Sequence, residues 1–396
     1  MRKKRIAIFT GNRAEYGLLV PVIESIRDSD KLDYSLIVSG GHLDPEFGNT
    51  IDQIKKDGFE IAAEIKLSSP DDTRESTPMA IGQCILEMVK TLKKINPDIL
   101  VVYADRFEGF ASVIAGSQMN VPIAHIEGGD LTEGGALDDS VRHAMTKLAH
   151  LHFVTNEGAK RRVIGMGEES WRVLNIGLPS LDVIGRKRLA SAKEISEKYC
   201  LDLERPIVLF TQHSVTTEFD QAGFQIDESI NSLKRLALEG VQVVITYPNN
   251  DAGGKKIIQK LKSLHEENVP GIQLHASLGS YFYHGILSLA KDSSKKVVCV
   301  GNSSSGIKET CVFKCPTVNI GSRQKGRLRA ENVIDANYSA AEIYEKVKFC
   351  LEDVGFRVVC RATQNPYGEG GAGDAVAKYL EDVELGPRLL QKKMML

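Results

Sequence analysis

Residues 99–103 read Ile-Leu-Val-Val-Tyr, an apolar run with no polar residue at alternate positions. A strand with one face in water alternates apolar and polar side chains. A run that is apolar throughout needs cover on both faces. That points to a parallel sheet with helices packed on each side. Similar runs occur at 5–9, 34–38, 123–126, 152–155 and 173–176. Between them lie stretches with helical spacing: Leu18, Val22, Ile23 and Ile26 over 18–27, and Ile81, Ile85, Met88, Val89 and Leu92 over 79–94. The pattern then restarts, with strands expected at 207–211, 241–247, 272–275, 297–300 and 317–320, and helices at 227–238, 255–267 and 279–290.

The expected fold is therefore α/β, with two doubly wound Rossmann-like domains facing a cleft. A chain of 396 residues exceeds what one core usually supports. The boundaries expected are 1–180 and 181–380, with the charged stretch 182–205 as the link and 381–396 as a tail. The last helix is allowed to pack back on the first domain, and residues 384–396 are expected to be partly disordered.

Composition narrows the function classes. The formal net charge of -2 argues against a chain built to coat nucleic acid or an acidic membrane. The apolar run Ile6–Phe9 is too short for a signal-peptide core and reads as a first strand. No stretch reaches the length of a membrane span, so a cytoplasmic protein is expected. Seven dispersed cysteines do not form a disulfide framework. Cys311 and Cys315, the only close pair, lack the second pair of a zinc site. A zinc site is therefore not expected, and buried, reduced thiols are the plain reading.

In doubly wound sheets, ligands bind outside the carboxyl ends of the strands. The polar residues just after each strand are thus the candidates. The first strand runs into Thr10-Gly11-Asn12-Arg13, where a turn, helix-start amides and Arg13 form an anion site or only a common turn. The motif is not Gly-x-Gly-x-x-Gly, which disfavours dinucleotide binding. Asp105 beside Arg106 is an acid/base candidate or a structural ion pair. The next strand leads to Glu127-Gly128-Gly129-Asp130, and Asp138 or Asp139 opens a helix, where either would also serve as a cap. Asp105, Glu127 and Asp138/Asp139 thus gather at one sheet edge, and clustered carboxylates raise one another's proton affinity toward neutral pH. In the second half, His213 follows one strand, and Pro248-Asn249-Asn250 another. Gly301-Asn302-Ser303-Ser304-Ser305-Gly306 forms a Gly/Ser turn suited to phosphate, without the Gly-Lys-Ser/Thr of a Walker loop. Glu309 stands where a carboxylate can take ribose hydroxyls. Arg323 follows one more strand.

Taken together, GNRAEY (11–16), ADRFEG (104–109), HIEGGD (125–130), LDDSVRHAMTKLAH (137–150), QHSVTTE (212–218), YPNNDAG (247–253), GNSSSGIKE (301–309) and GSRQKGR (321–327) resemble the hydrolysing UDP-N-acetylglucosamine 2-epimerases, in the sialic- and legionaminic-acid branch. The resemblance implies a fold like that of the B-type glycosyltransferases, no metal or nicotinamide, and a homodimer or homotetramer formed through first-domain helices. It implies anti elimination of UDP to a 2-acetamidoglycal and then hydration, turning UDP-GlcNAc and water into ManNAc and UDP. A UDP-2,4-diacetamido-2,4,6-trideoxyglucose substrate is the alternative, and a B-type glycosyltransferase is the rival activity. By motif, Asp105, Glu127 and Asp138 become the acid/base carboxylates, and His213 assists the departing diphosphate or protonates near it. Arg13, Ser303, Ser304 and Arg323 hold phosphates, with Arg106 and Asn249 near them, and Glu309 binds ribose. Two departures stand out. Ala104 replaces the family's usual glycine, which is expected to shift the backbone at Asp105, and Leu131–Leu137 carries about two extra residues.

Overall fold

The computed structural model describes residues 2–44, 50–67, 75–131, 137–186, 188–248 and 253–395. The chain forms two units. The first runs to Gly185 and is completed from Tyr367 onward; the second is Arg186–Pro366.

In the first unit, β1 (Lys4–Thr10), β2 (Leu32–Ser39), β3 (Ile61–Ile65), β4 (Ile99–Tyr103), β5 (Ile123–Ile126), β6 (Leu151–Val154) and β7 (Val173–Asn175) form one sheet in the order β3-β2-β1-β4-β5-β6-β7. Every pairing is parallel. Strand alternation sends Ile6 and Ile8 of β1 into a core with Leu19, Val22, Ile23 and Ile26. Ala7 and Phe9 enter a separate core on the other face with Cys84, Met88 and Leu92. Both faces are covered, as the unbroken apolar runs require, and every residue of β4 is buried.

The second unit repeats the design with β8 (Ile207–Thr211), β9 (Gln242–Thr246), β10 (Ile272–His275), β11 (Val297–Gly301), β12 (Thr317–Ile320) and β13 (Val333–Ala336), ordered β10-β9-β8-β11-β12-β13 and parallel throughout. Counted within each unit, both sheets follow the Rossmann order 3-2-1-4-5-6, with a seventh strand added to the first. The strand order reverses between β1 and β4 in one sheet and between β8 and β11 in the other. In doubly wound sheets, such reversal points are where ligands bind.

Two strands were not apparent as apolar runs. β3 has exposed residues at alternate positions, and β13 is four residues long with an exposed Asp335. Both are sheet-edge strands, where half-exposure relaxes the apolar requirement.

The chain's return to the first unit is fixed by specific bonds. Helix Ala372–Asp382 packs on helix Arg13–Arg27 so closely that a Cβ at Gly373 would strike the Pro21 carbonyl. The Asp182 carboxylate accepts the Ala372 and Gly373 amides at 3.1 and 2.8 Å. Beyond that helix, the tail makes defined contacts. Fully buried Arg172 donates to the carbonyls of Leu389 (2.8 Å) and Arg388 (2.7 Å), and Lys392 donates to that of Ala149 (2.6 Å). Among the described residues, no helix is long and apolar enough to cross a membrane.

Candidate active site

At the exit of β1, Asn12 caps helix Arg13–Arg27, its side chain accepting the Glu15 amide at 3.0 Å. Glu15 folds back and accepts the Gly11 amide at 2.9 Å. Burial, aided by nearby Glu108, pushes the Glu15 carboxyl up to about 8. Arg13 is exposed at the helix start. Arg106, at the adjacent β4 exit, is also exposed and lies 3.6 Å from buried Glu108. The reversal point of the sheet therefore brings Arg13 and Arg106 to neighbouring strand ends.

Ala104 precedes Asp105 with a left-handed backbone, φ +54°. Its amide bonds to the Ile126 carbonyl at 2.9 Å, and its carbonyl accepts Nε2–H of His125 at 2.6 Å. Burial lowers His125 to about 4, so it is neutral at pH 7. Here an alanine adopts a conformation that glycine favours. The strain is about 1 kcal/mol, offset by these two bonds.

Asp105 forms an ion pair with Arg142, a residue only 4% exposed on helix Leu137–Leu148. Arg142 also donates to Asp139 Oδ1 and to the Asp130 carbonyl, each at 2.8 Å. Asp130 accepts in turn from Thr155 (3.1 Å) and Asn156 (2.9 Å), so it anchors its loop. Glu127, at the β5 exit, has φ +65°. The buried Tyr103 hydroxyl is pushed well above its ordinary range, first by burial and then by the adjacent Glu127 carboxylate. Gly129, φ +76°, allows the turn, since a Cβ there would meet Val163 at 2.6 Å and the Ala159 carbonyl at 2.8 Å. Asp138 contributes its backbone to helix Leu137–Leu148; its side chain, and the inserted loop at 132–136, lie outside the described residues.

In the second unit, the exits of β8 and β11 are joined by Asn302, which is fully buried. Its side chain accepts the His213 amide at 2.6 Å and donates to the His213 carbonyl at 2.9 Å. Its own carbonyl receives Arg323 at 3.2 Å and Gln324 at 2.9 Å, from the β12 exit. Three strand ends are thus tied at one residue. Gly301 makes this possible: its φ is +129°, and a Cβ would run into the Thr211 carbonyl. Burial, with Arg323 alongside, lowers His213 to about 3, so the imidazole is neutral at pH 7. Ser303 caps the short helix Ser304–Lys308, and Ser304 is its first residue. Glu309 closes that helix, accepting from Ser305 Oγ at 2.7 Å with His284 at 3.1 Å. His284 in turn stacks on Phe313. Asn249 lies outside the described residues.

The structure thus gathers Arg13, Asp105, Arg106 and Glu127 at the strand exits of one sheet, and His213, Ser303, Ser304, Glu309 and Arg323 at those of the other. Residue-by-residue reading passed over Arg142 and Asn302. Arg142 was detectable, because it stands three residues after Asp139 and so shares its helix face. Asn302 was not, because its bonds cross between loops. Of the seven cysteines, six are buried and all are free. Cys311 and Cys315 donate to different carbonyls, those of Thr363 and Val297. Among the described residues, no group of three or more His, Cys, Asp or Glu is placed to hold a metal.

Fold and strand-exit groups together define a class: an α/β protein of two Rossmann-like domains, with acidic groups at one sheet's edge and a Gly/Ser turn at the other's. Comparison with known proteins makes the class specific. The family model for UDP-N-acetylglucosamine 2-epimerase matches residues 24–381. A UDP-N,N'-diacetylbacillosamine 2-epimerase (hydrolyzing) of Legionella pneumophila is 32% identical over 98% of both chains. A UDP-N-acetylglucosamine 2-epimerase of Neisseria meningitidis is 32% identical over 87% of both. The UDP-GlcNAc 2-epimerase of Methanocaldococcus jannaschii, solved in complex with UDP-GlcNAc and UDP, superposes with a TM-score of 0.67 at 16% identity, covering 95% of this chain and 99% of that one. The chain belongs to the UDP-N-acetylglucosamine 2-epimerase family, and its relatives identify it as a UDP-sugar 2-epimerase. Its fold, two Rossmann-like domains, is of the B-type glycosyltransferase-like class.

Proposed function

We propose that the chain is a hydrolysing 2-epimerase, releasing UDP from a UDP-2-acetamido sugar and inverting carbon 2. The observation that carries this reading is the pairing of Asp105 with buried Arg142, next to Glu127, at the first unit's strand exits. A carboxylate of this group takes the C2 proton as the C1–O bond breaks. The C2–H electrons form the C1–C2 double bond, and UDP departs with the C1–O pair. Water then adds, with hydroxyl to C1 and a proton to C2 from the opposite face, giving the 2-epimeric free sugar. The proton added at C2 is a different, solvent-exchanged one, given by a second carboxyl group of the cluster in its neutral form, for which Glu127 and Asp138 are assigned; that group, ionised by the transfer, takes the proton that the attacking water loses. The C2 proton is weakly acidic, so charge on the leaving diphosphate must be met as the bond breaks. Arg13, Arg106 and Arg323, with Ser303 and Ser304, are assigned to it. His213, neutral at pH 7, acts there as a hydrogen-bond donor. Glu309 binds the ribose, and Asn249 keeps its assignment near the phosphates.

Two sugars are carried by the relatives' names. UDP-N,N'-diacetylbacillosamine is favoured, because that relative matches over 98% of both chains. UDP-GlcNAc, giving ManNAc, is the second reading, from the Neisseria relative. The test is proton NMR in heavy water with each nucleotide sugar alone. The expected result is free 2-epimeric sugar carrying deuterium at C2, together with UDP. A product still bearing UDP would refute the hydrolysing step. Turnover only with an added acceptor would favour a glycosyltransferase.

A further inference from the structure

Arg142 reaches three pieces of chain at once: the β4 exit through Asp105, the loop after β5 through the Asp130 carbonyl, and its own helix through Asp139. It is 4% exposed, and both terminal nitrogens are committed. Arginine keeps its charge at any working pH, and its planar fork fixes direction where a lysine ammonium would not. Arg142 holds Asp105 by Oδ2, and among the described residues Oδ1 takes no hydrogen bond. The Asp105 side chain is 17% exposed, enough to be reached from solvent.

We propose that Arg142 is a positioning residue of the epimerisation chemistry, clamping Asp105 by Oδ2 so that Oδ1 faces the sugar for proton transfer. This rests on the hydrolysing-epimerase reading. Two rival roles are direct contact with substrate, which its burial and committed donors oppose, and support of the fold alone.

The test uses the full chain with Arg142→Gln and Arg142→Lys, each alone and combined with Asp105→Asn. For Arg142→Gln, kcat should fall about 100-fold, while KM and the UDP dissociation constant stay within about threefold. Arg142→Lys keeps the charge and guards against a failure to fold; it should lose about 10-fold in kcat with UDP binding unchanged. Added to Asp105→Asn, either change should cost less than about threefold more, because Arg142 acts through Asp105. Weakened UDP binding, multiplicative losses, or full activity in Arg142→Lys would each overturn the proposal. A readout independent of turnover is carbon-13 NMR of labelled aspartate carboxyls, with the Asp105 signal identified by its loss in Asp105→Asn. Removing the neighbouring cation favours the neutral acid, so the Asp105 midpoint should move to higher pH in Arg142→Gln. An unmoved midpoint overturns the proposal whatever the activity. A moved midpoint in a protein inert toward both nucleotide sugars would instead refute the epimerase reading and leave the clamp standing.

Discussion

Replacing Glu15 with glutamine should change how stability depends on pH. The Glu15 carboxyl is buried against Glu108, with Oε2 accepting the Gly11 amide. Burial raises it from 4.5 to about 8. Between those values the folded protein holds a proton that the unfolded chain has released. The stability contributed is therefore complete below pH 4.5 and is lost as pH rises toward 8. The slope across that window is about 1.4 kcal/mol per pH unit. Glutamine has nearly the same shape, can still accept the Gly11 amide, and does not titrate. Relative to wild type, Glu15→Gln should thus gain about 4 kcal/mol between pH 5 and pH 8. The assay is guanidinium unfolding followed by fluorescence of Trp171, the chain's only tryptophan, which lies in the first unit. Glu108 and the neutral histidines are present in both proteins, so their contributions largely cancel in the comparison. A gap constant to within about 1 kcal/mol would show that Glu15 is already ionised in the folded state and would refute the reasoning.

Three further outcomes are expected. Asp105→Asn should lower turnover by about 10²- to 10⁴-fold, while calorimetry finds UDP affinity largely intact, because it removes a proton acceptor and little volume. Full activity would remove Asp105 from the mechanism. Asn302→Ala strands the buried amide and carbonyl of His213 and should destabilise the second unit by about 2–4 kcal/mol in denaturant unfolding; UDP affinity should fall with it, and unchanged binding would argue against a nucleotide site at these loops. Ala104→Gly relieves a left-handed alanine and should raise stability by up to about 1 kcal/mol; destabilisation would mean that the Ala104 methyl contributes packing worth more than the strain.

The central strands were legible because a sheet buried on both faces leaves only apolar residues to build it from. The same logic failed at β3 and β13, whose edge positions allow exposed side chains. Candidate groups such as Asp105, Glu127 and His213 could be found because each directly follows a strand, and the sheet orders now place β1 beside β4 and β8 beside β11. What holds those groups was not legible. The Arg142 clamp depends on where two loops come together, and Asn302 ties strand ends about ninety residues apart in the chain. The low proton affinity of His213 also arises from burial, which no local sequence pattern encodes.

The return of the chain at Tyr367 sets an order on biosynthesis. The second unit is continuous, Arg186–Pro366, and has all its strands once the ribosome has passed that point. The first unit begins earlier and finishes later. Until Ala372–Asp382 emerges, the groove on helix Arg13–Arg27 that receives Gly373 stays open, and Val376 and Leu380 are missing from the core. The half of the protein made first is therefore the half completed last, and for that interval its apolar surface is what a nascent-chain chaperone would meet.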